Sequence, residues 1–172
     1  MKKVLFCTVL ILAVFAVSAG GFDFNAVSFN VCCEDLTYFE TKSCMLDFGL
    51  DLRLGKMVNE HVPVYAALNV YYSANYKNAQ YFSQIPSSAI GCLSLGSGYV
   101  FSKYALLGQI GLKLMNFGFE KINLFSLAEI KLIPSYFTKD FVFGVPVAYS
   151  FGKNGNSLCV GISAGVSFGG SK

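Results

Sequence analysis

Near its C-terminal end the chain alternates strictly. Leu158, Val160, Ile162, Ala164, Val166 and Phe168 are separated by Cys159, Gly161, Ser163, Gly165 and Ser167. One face of this segment is bulky and apolar, and the other is small or polar. The same period of two recurs upstream. Residues 44–55 set Leu46, Phe48, Leu50, Leu52 and Leu54 against Asp47, Gly49, Asp51, Arg53 and Gly55. Residues 62–73, 92–101, 106–115, 122–132 and 141–151 alternate in the same way. A period of two is the signature of a strand with two unlike faces. Segments of about 10 residues match the length of a strand that crosses a bilayer at a tilt. An eighth strand over residues 22–31 starts with Phe22 and Phe24 opposite Asp23 and Asn25, after which the apolar phase moves to Val27, Phe29 and Val31. A bulge or a later start of the strand accounts for such a shift. Pro146 falls in the middle of the seventh strand, where it removes a ladder donor and predicts a local distortion.

The alternation alone leaves open whether the apolar face meets lipid or lines a cavity, and composition narrows this. Only 13% of residues are charged and mean hydropathy is +0.53, whereas about 25% charged is usual for a soluble domain. Beyond residue 19 no apolar run approaches the ~20 residues of a membrane helix. In hydrocarbon every backbone polar group must be paired internally, which only helices and closed barrels achieve. The reading is an all-β, closed, antiparallel up-and-down transmembrane β-barrel of about eight strands. On the less apolar face, Asp47, Asp51 and Glu129 balance Arg53, Lys113 and Lys131 among many Gly and Ser residues. That suits a narrow filled lumen better than a wetted surface. A soluble periplasmic lipid-binding barrel with the faces reversed is the alternative reading, and a lipid-modifying barrel enzyme is a third.

The N-terminus explains how such a chain leaves the cytoplasm. Lys2 and Lys3 precede an apolar run from Val4 to Val17, and Val17-Ser18-Ala19 offers small residues for cleavage. This is the three-part pattern of a signal peptide over residues 1–19, with the barrel domain over 20–172. Without Lys2 and Lys3, acidic and basic residues nearly balance, and no basic stripe points to nucleic acid. A periplasmic N-terminus puts the long connections, residues 32–43 and 74–88, on the outside. It gathers Phe22, Phe24, Tyr99, Phe101, Tyr104, Tyr136, Phe137, Phe141 and Phe168 at the periplasmic rim, and Tyr71, Tyr72, Phe117, Phe119, Tyr149 and Phe151 at the outer rim. Two aromatic girdles are expected of outer-membrane barrels.

Signal, alternation, girdles and an aromatic last strand together resemble the small eight-stranded outer-membrane barrel proteins of Gram-negative bacteria over the whole mature length. The resemblance implies residence in the cell outer membrane, contact with its lipid, and handling by the barrel-insertion machinery. That machinery reads a terminal aromatic residue, whereas here Phe168 is followed by Gly-Gly-Ser-Lys. The resemblance carries no catalytic residue across.

Candidate chemistry is sparse. The second outer loop, with Tyr76, Tyr81 and Phe82, is the expected contact surface for ligand or partner. Asp47, Asp51, Arg53, Lys113, Glu129 and Lys131 form an expected lumen charge network rather than an ion path, because buried charges are normally paired. In an oxidising compartment Cys44 is placed to pair with Cys32 or Cys33 and close the first outer loop. Cys92 and Cys159 fall on inward faces of the fourth and eighth strands. His61, the single histidine, falls in a periplasmic turn, away from the outer leaflet where a lipid-modifying base would be needed. No spacing suggests a metal or a cofactor, and a non-enzymatic role is expected.

Overall fold

The computed structural model describes residues 23–38, 41–75, 88–117, 124–153 and 155–168. Nine extended segments make up the sheet: β1 (Phe24–Tyr38), β2 (Thr41–Met57), β3 (Pro63–Asn75), β4 (Ser88–Phe101), β5 (Tyr104–Phe117), β6 (Leu124–Phe137), β7 (Phe141–Gly144), β8 (Val147–Gly152) and β9 (Gly155–Phe168). Each pairs antiparallel with its neighbours in the sheet, and β1 also pairs with β9 over Asn25↔Phe168 to Tyr38↔Gly155, which closes the ring. β7 and β8 are two halves of one stave, since both lie between β6 and β9. The fold is therefore a closed eight-stave antiparallel barrel.

The stagger of the ring follows from the register. Val27 pairs with Leu52, Leu52 with Leu68, Leu68 with Leu93, and Leu93 with Leu112. The path continues through Ala128, Phe151 and Asn156 and re-enters β1 at Thr37, ten residues above its start. With a rise of ~3.3 Å per residue and strands ~4.8 Å apart, this stagger tilts the staves by about 40°. An even stagger also returns each outward residue to an outward position.

The break between β7 and β8 comes from two prolines. Val145 and Pro146 interrupt the stave, but the register on either side is the same: Gly144 pairs with Ser163 and Val147 with Val160. Val145 N donates to the Pro134 carbonyl at 3.0 Å, and Gly161 N to the Pro146 carbonyl at 3.0 Å. Each proline keeps its acceptor in the ladder and lacks only its donor. The distortion expected at Pro146 is present and confined to two residues.

The first stave corrects two expectations. No bulge occurs in β1, whose register with β2 runs unbroken from Phe24↔Gly55 to Tyr38↔Thr41. Phe24 instead belongs to the inward phase and packs inside the barrel mouth, 5.4 Å from the Tyr65 ring and 6.1 Å from Phe137. Residues 32–38 and 41–43 are not loop residues either. They continue the β1–β2 ladder, so Cys32, Cys33, Glu34 and Cys44 are strand residues.

The outer surface is an apolar belt. Leu93, Leu95, Ile110 and Ile162 are at least 67% exposed, and Leu68, Leu112, Leu132, Val147 and Val160 are exposed around them. Tyr99, Phe101, Tyr104, Phe141 and Phe168 ring the lower edge, and Tyr72, Tyr149 and Phe151 the upper one. The rings of His61, Tyr99, Phe101, Tyr104 and Tyr136 follow one another at 5.2–6.3 Å between centroids, forming a continuous aromatic ladder. Tyr71 and Phe137, assigned to the rims by sequence, turn inward with Phe24. Phe22 and Phe119 lie outside the described residues, as does the side chain of Phe117. From Phe141 to Phe151 one stave crosses the belt, which at this tilt is about 25 Å tall, the height of the hydrocarbon band of outer-membrane barrels.

This orientation makes a quantitative prediction. Leu95→Arg, at mid-belt, should lower folding stability in phospholipid vesicles by ~2–4 kcal/mol, while Asn156→Arg, level with Phe151 of the upper girdle, should cost ~0–1 kcal/mol. Urea titrations followed by tryptophan-free fluorescence of the tyrosines or by circular dichroism would measure both; equal costs would mean that the belt does not face lipid.

Candidate functional site

With the apolar face outward, the interior must accommodate the polar one. An eight-stave ring leaves room only for side chains, and the inward residues sort into three layers along the axis. At the end that carries the β2–β3 turn, Phe24, Tyr65, Ala67, Ala105, Leu107 and Ile133 form a buried apolar cluster, with Met57, Val100 and Phe137 against it. At the opposite end, Leu36, Met45, Ile90, Met115 and Leu127 form a second one, with Tyr71 beneath. Between them lies a charged layer. Two tyrosines brace it by lying over glycines. A Cβ at Gly96 would stand 2.4 Å from the Tyr65 ring, and one at Gly49 would stand 2.4 Å from the Tyr71 ring. Only glycine leaves those rings their places.

All six charged residues singled out from the sequence point into this layer and are buried. Arg53, 1% exposed, grips Asp51 two residues away on the same face, with Nε at 3.1 Å and Nη2 at 2.8 Å from Oδ2. Lys131 Nζ lies 3.2 Å from Glu129 Oε1, donates to Asn69 Oδ1 at 3.1 Å and to the Tyr71 hydroxyl at 3.4 Å, and stands 5.6 Å from the centre of the Tyr71 ring. Glu129 also accepts from Cys92 Sγ and Ser150 Oγ, each at 3.3 Å. Asp47 accepts from Ser73 Oγ.

Sequence reasoning missed one member. Glu34, fully buried, is the ion-pair partner of Lys113 and reaches it across the lumen from β1 to β5. With Glu34, four acids face three bases among the described residues. The signal was there in the spacing, since Ser28, Asn30, Cys32 and Glu34 hold one phase, but reading 32–43 as a loop hid it.

The arrangement is a braced charge network of paired carboxylates, ammonium groups and one guanidinium. His61 sits in the β2–β3 turn, where Nδ1 contacts the Val100 carbonyl at 3.0 Å and the ring stacks on Tyr99. Its ring contacts among the described residues are Val100 and Tyr99, neither of them a nucleophile paired with it. Among the described residues no cluster of His, Cys, Asp and Glu is shaped to hold a metal. The interior formed by the described residues is polar at mid-height and packed by apolar clusters at both ends, unlike the apolar lining that the soluble lipid-binding alternative requires. Cys32, Cys33, Cys44, Cys92 and Cys159, the cysteines among the described residues, are not joined by a disulfide in this structure. Cys33 and Cys44 are exposed on the outside of the sheet while Cys32 is buried inside, so the pleat separates Cys32 from Cys44. The loop residues Tyr76, Tyr81 and Phe82 lie outside the described residues.

No protein-family model matches the chain, and no curated protein matches it in sequence. Solved structures match its fold. Ail, the attachment invasion locus protein of Yersinia pestis, superimposes with a TM-score of 0.54 at 14% identity, over 84% of this chain and 98% of that one. That crystal structure holds a heparin analogue, sucrose octasulfate. Neisserial surface protein A matches with a TM-score of 0.55 at 14% identity, over 84% of this chain and 97% of its own. Ail in a phospholipid bilayer nanodisc gives 0.50 at 12% identity. The fold and the belt together define the class: the chain folds as a closed eight-stranded antiparallel β-barrel with an apolar outer belt, the fold of these outer-membrane proteins.

The interior pair Glu34–Lys113 should behave as buried ion pairs do. Lys113→Met alone strands a carboxylate and should cost ~3–5 kcal/mol, whereas Lys113→Met with Glu34→Leu should return to within about 1 kcal/mol of the parent. A double-mutant cycle by urea unfolding in vesicles measures this; additive costs would mean that the two groups do not interact.

Proposed function

We propose that the chain is exported by residues 1–19, inserted by the barrel-assembly machinery, and serves as a non-catalytic outer-membrane scaffold that holds its outer loops at the cell surface. The observation that carries this reading is the axial layering of the interior. A charged layer shut between two apolar clusters leaves no water-filled path, so the barrel's use lies in its rim and not in its lumen. Loops on a rigid frame are where binding groups concentrate. Residues 76–87, with Tyr76, Tyr81 and Phe82, form the longest outer connection and are the proposed contact surface. Aromatic side chains at such a site supply contact area at low entropic cost.

Three measurements on one preparation test this. The protein should fractionate with the outer membrane and migrate faster on gels before boiling than after. In planar bilayers it should open no steady conductance. Replacing residues 76–87 by a short Gly-Asn turn should preserve the heat-modifiable band and remove whatever surface adhesion the intact protein confers on cells. Identical migration before and after boiling would refute the barrel assignment; a stable conductance would refute the closed lumen; adhesion unchanged by the loop replacement would refute the contact surface.

A further inference from the structure

β1 and β9 form the one seam in the barrel between staves remote in sequence; every other neighbouring pair is joined by a turn or loop. We infer that this seam is a thiol–disulfide site, at which Cys32 and Cys159 bond across the first and last staves and convert the ring from a hydrogen-bonded closure to a covalent one. In the register Cys32 faces Gly161 and Glu34 faces Cys159, so the two thiols are diagonal neighbours on the inner face. Gly161 makes this approach possible, because a Cβ there would stand 2.3 Å from Cys32 Sγ. The sulfur thus leans over β9, in space that any other residue at 161 would fill. Inward side chains of a narrow barrel also converge toward its axis. Cys33 and Cys44 lie instead on the exposed outer face of β1 and β2. Cys92 is engaged elsewhere, donating to Glu129.

The chemistry needs an oxidant. Two S–H bonds break and one S–S bond forms; two protons and two electrons leave, and a disulfide-bearing thiol oxidant of the exported compartment takes them up to become a dithiol. Exchange runs through a mixed disulfide at one of the cysteines. A protein oxidant cannot enter the filled lumen, so the bond forms while β1 and β9 are coming together and is then shielded by the closed wall. The bond would close the chain over most of the barrel, and long closed loops restrict the unfolded chain most.

The inference uses the exported location argued above, and the test separates the two. Full-length protein from the membrane fraction is alkylated before lysis, denatured without reductant, digested and mapped by mass spectrometry. The expected result is a Cys32–Cys159 linked peptide, with Cys33, Cys44 and Cys92 alkylated. On non-reducing gels the boiled chain should run faster than the reduced one, a shift abolished by Cys32→Ser or Cys159→Ser and kept in Cys33→Ser, Cys44→Ser and Cys92→Ser. Dithiothreitol should cleave the bond at least tenfold more slowly in the folded barrel than in urea. Purified protein refolded into vesicles with oxidised glutathione should form the same link, even if the cellular location proves different. Five alkylated thiols after that refolding, a gel shift that survives Cys32→Ser, or equal reduction rates folded and unfolded would each overturn the inference.

Discussion

Everything in this barrel depends on the requirement that no backbone amide or carbonyl be left unpaired in hydrocarbon. An open eight-strand sheet would leave two edges, and each unpaired polar group there would cost several kcal/mol in lipid. The β1–β9 ladder removes both edges at once, over fourteen paired positions from Asn25 to Tyr38. Closure on eight staves with a stagger of ten then sets the tilt, the height of the apolar belt and the width of the interior. None of those can be changed by a local substitution. Side chains adapt to them, which is why alternation is so strict along the staves and why the one irregularity, at Val145 and Pro146, leaves the register untouched.

The narrow interior creates the second problem, which is to fill a space too small for bulk water with residues that are also poorly soluble in lipid. Charges serve here because they can be paired across the ring. Lys113 on β5 reaches Glu34 on β1, and Lys131 on β6 reaches Asn69 and Tyr71 on β3. These contacts join staves that share no ladder, so they oppose flattening of the barrel in a way that hydrogen bonds between neighbours cannot. The apolar clusters above and below exclude water from the layer and so strengthen each of its ion pairs, since electrostatic attraction grows as the local dielectric falls.

Much of this is legible in the sequence because the period of two records the environment of each face directly. The facing of Asp47, Asp51, Arg53, Lys113, Glu129 and Lys131 follows from alternation alone. Their partners do not, because which stave lies across the lumen depends on the stagger, and stagger is a property of the closed ring. Glu34 was hidden for a different reason. Cys-Cys-Glu-Asp followed by Leu-Thr-Tyr has the polarity of a turn, and the β1–β2 ladder runs well above the belt, where the outer face is no longer required to be apolar. The alternation there loses one of its two halves. Phe24, Tyr71 and Phe137 were misplaced by the converse error. Aromatic residues near strand ends were read as rim residues, yet the same ends must also be sealed from within, and a phenyl or phenol ring fills a barrel mouth as readily as it sits in a headgroup layer.

The charged layer also has a consequence for folding specificity that an apolar filling would lack. A slip of one residue between any two staves would turn the apolar set inward and the polar set to lipid, and is excluded by the belt alone. A slip of two preserves both faces, so hydrophobicity cannot oppose it. It would, however, separate Glu34 from Lys113 and Asn69 from Lys131, leave the Glu34–Lys113 charges unmatched in a dry interior, and, at β2–β3 or β3–β4, drive Tyr71 or Tyr65 off Gly49 or Gly96 onto side chains. The cost of an unmatched buried charge exceeds the net gain from a matched one. The interior network therefore acts less as a source of stability than as a penalty on every closed ring but this one.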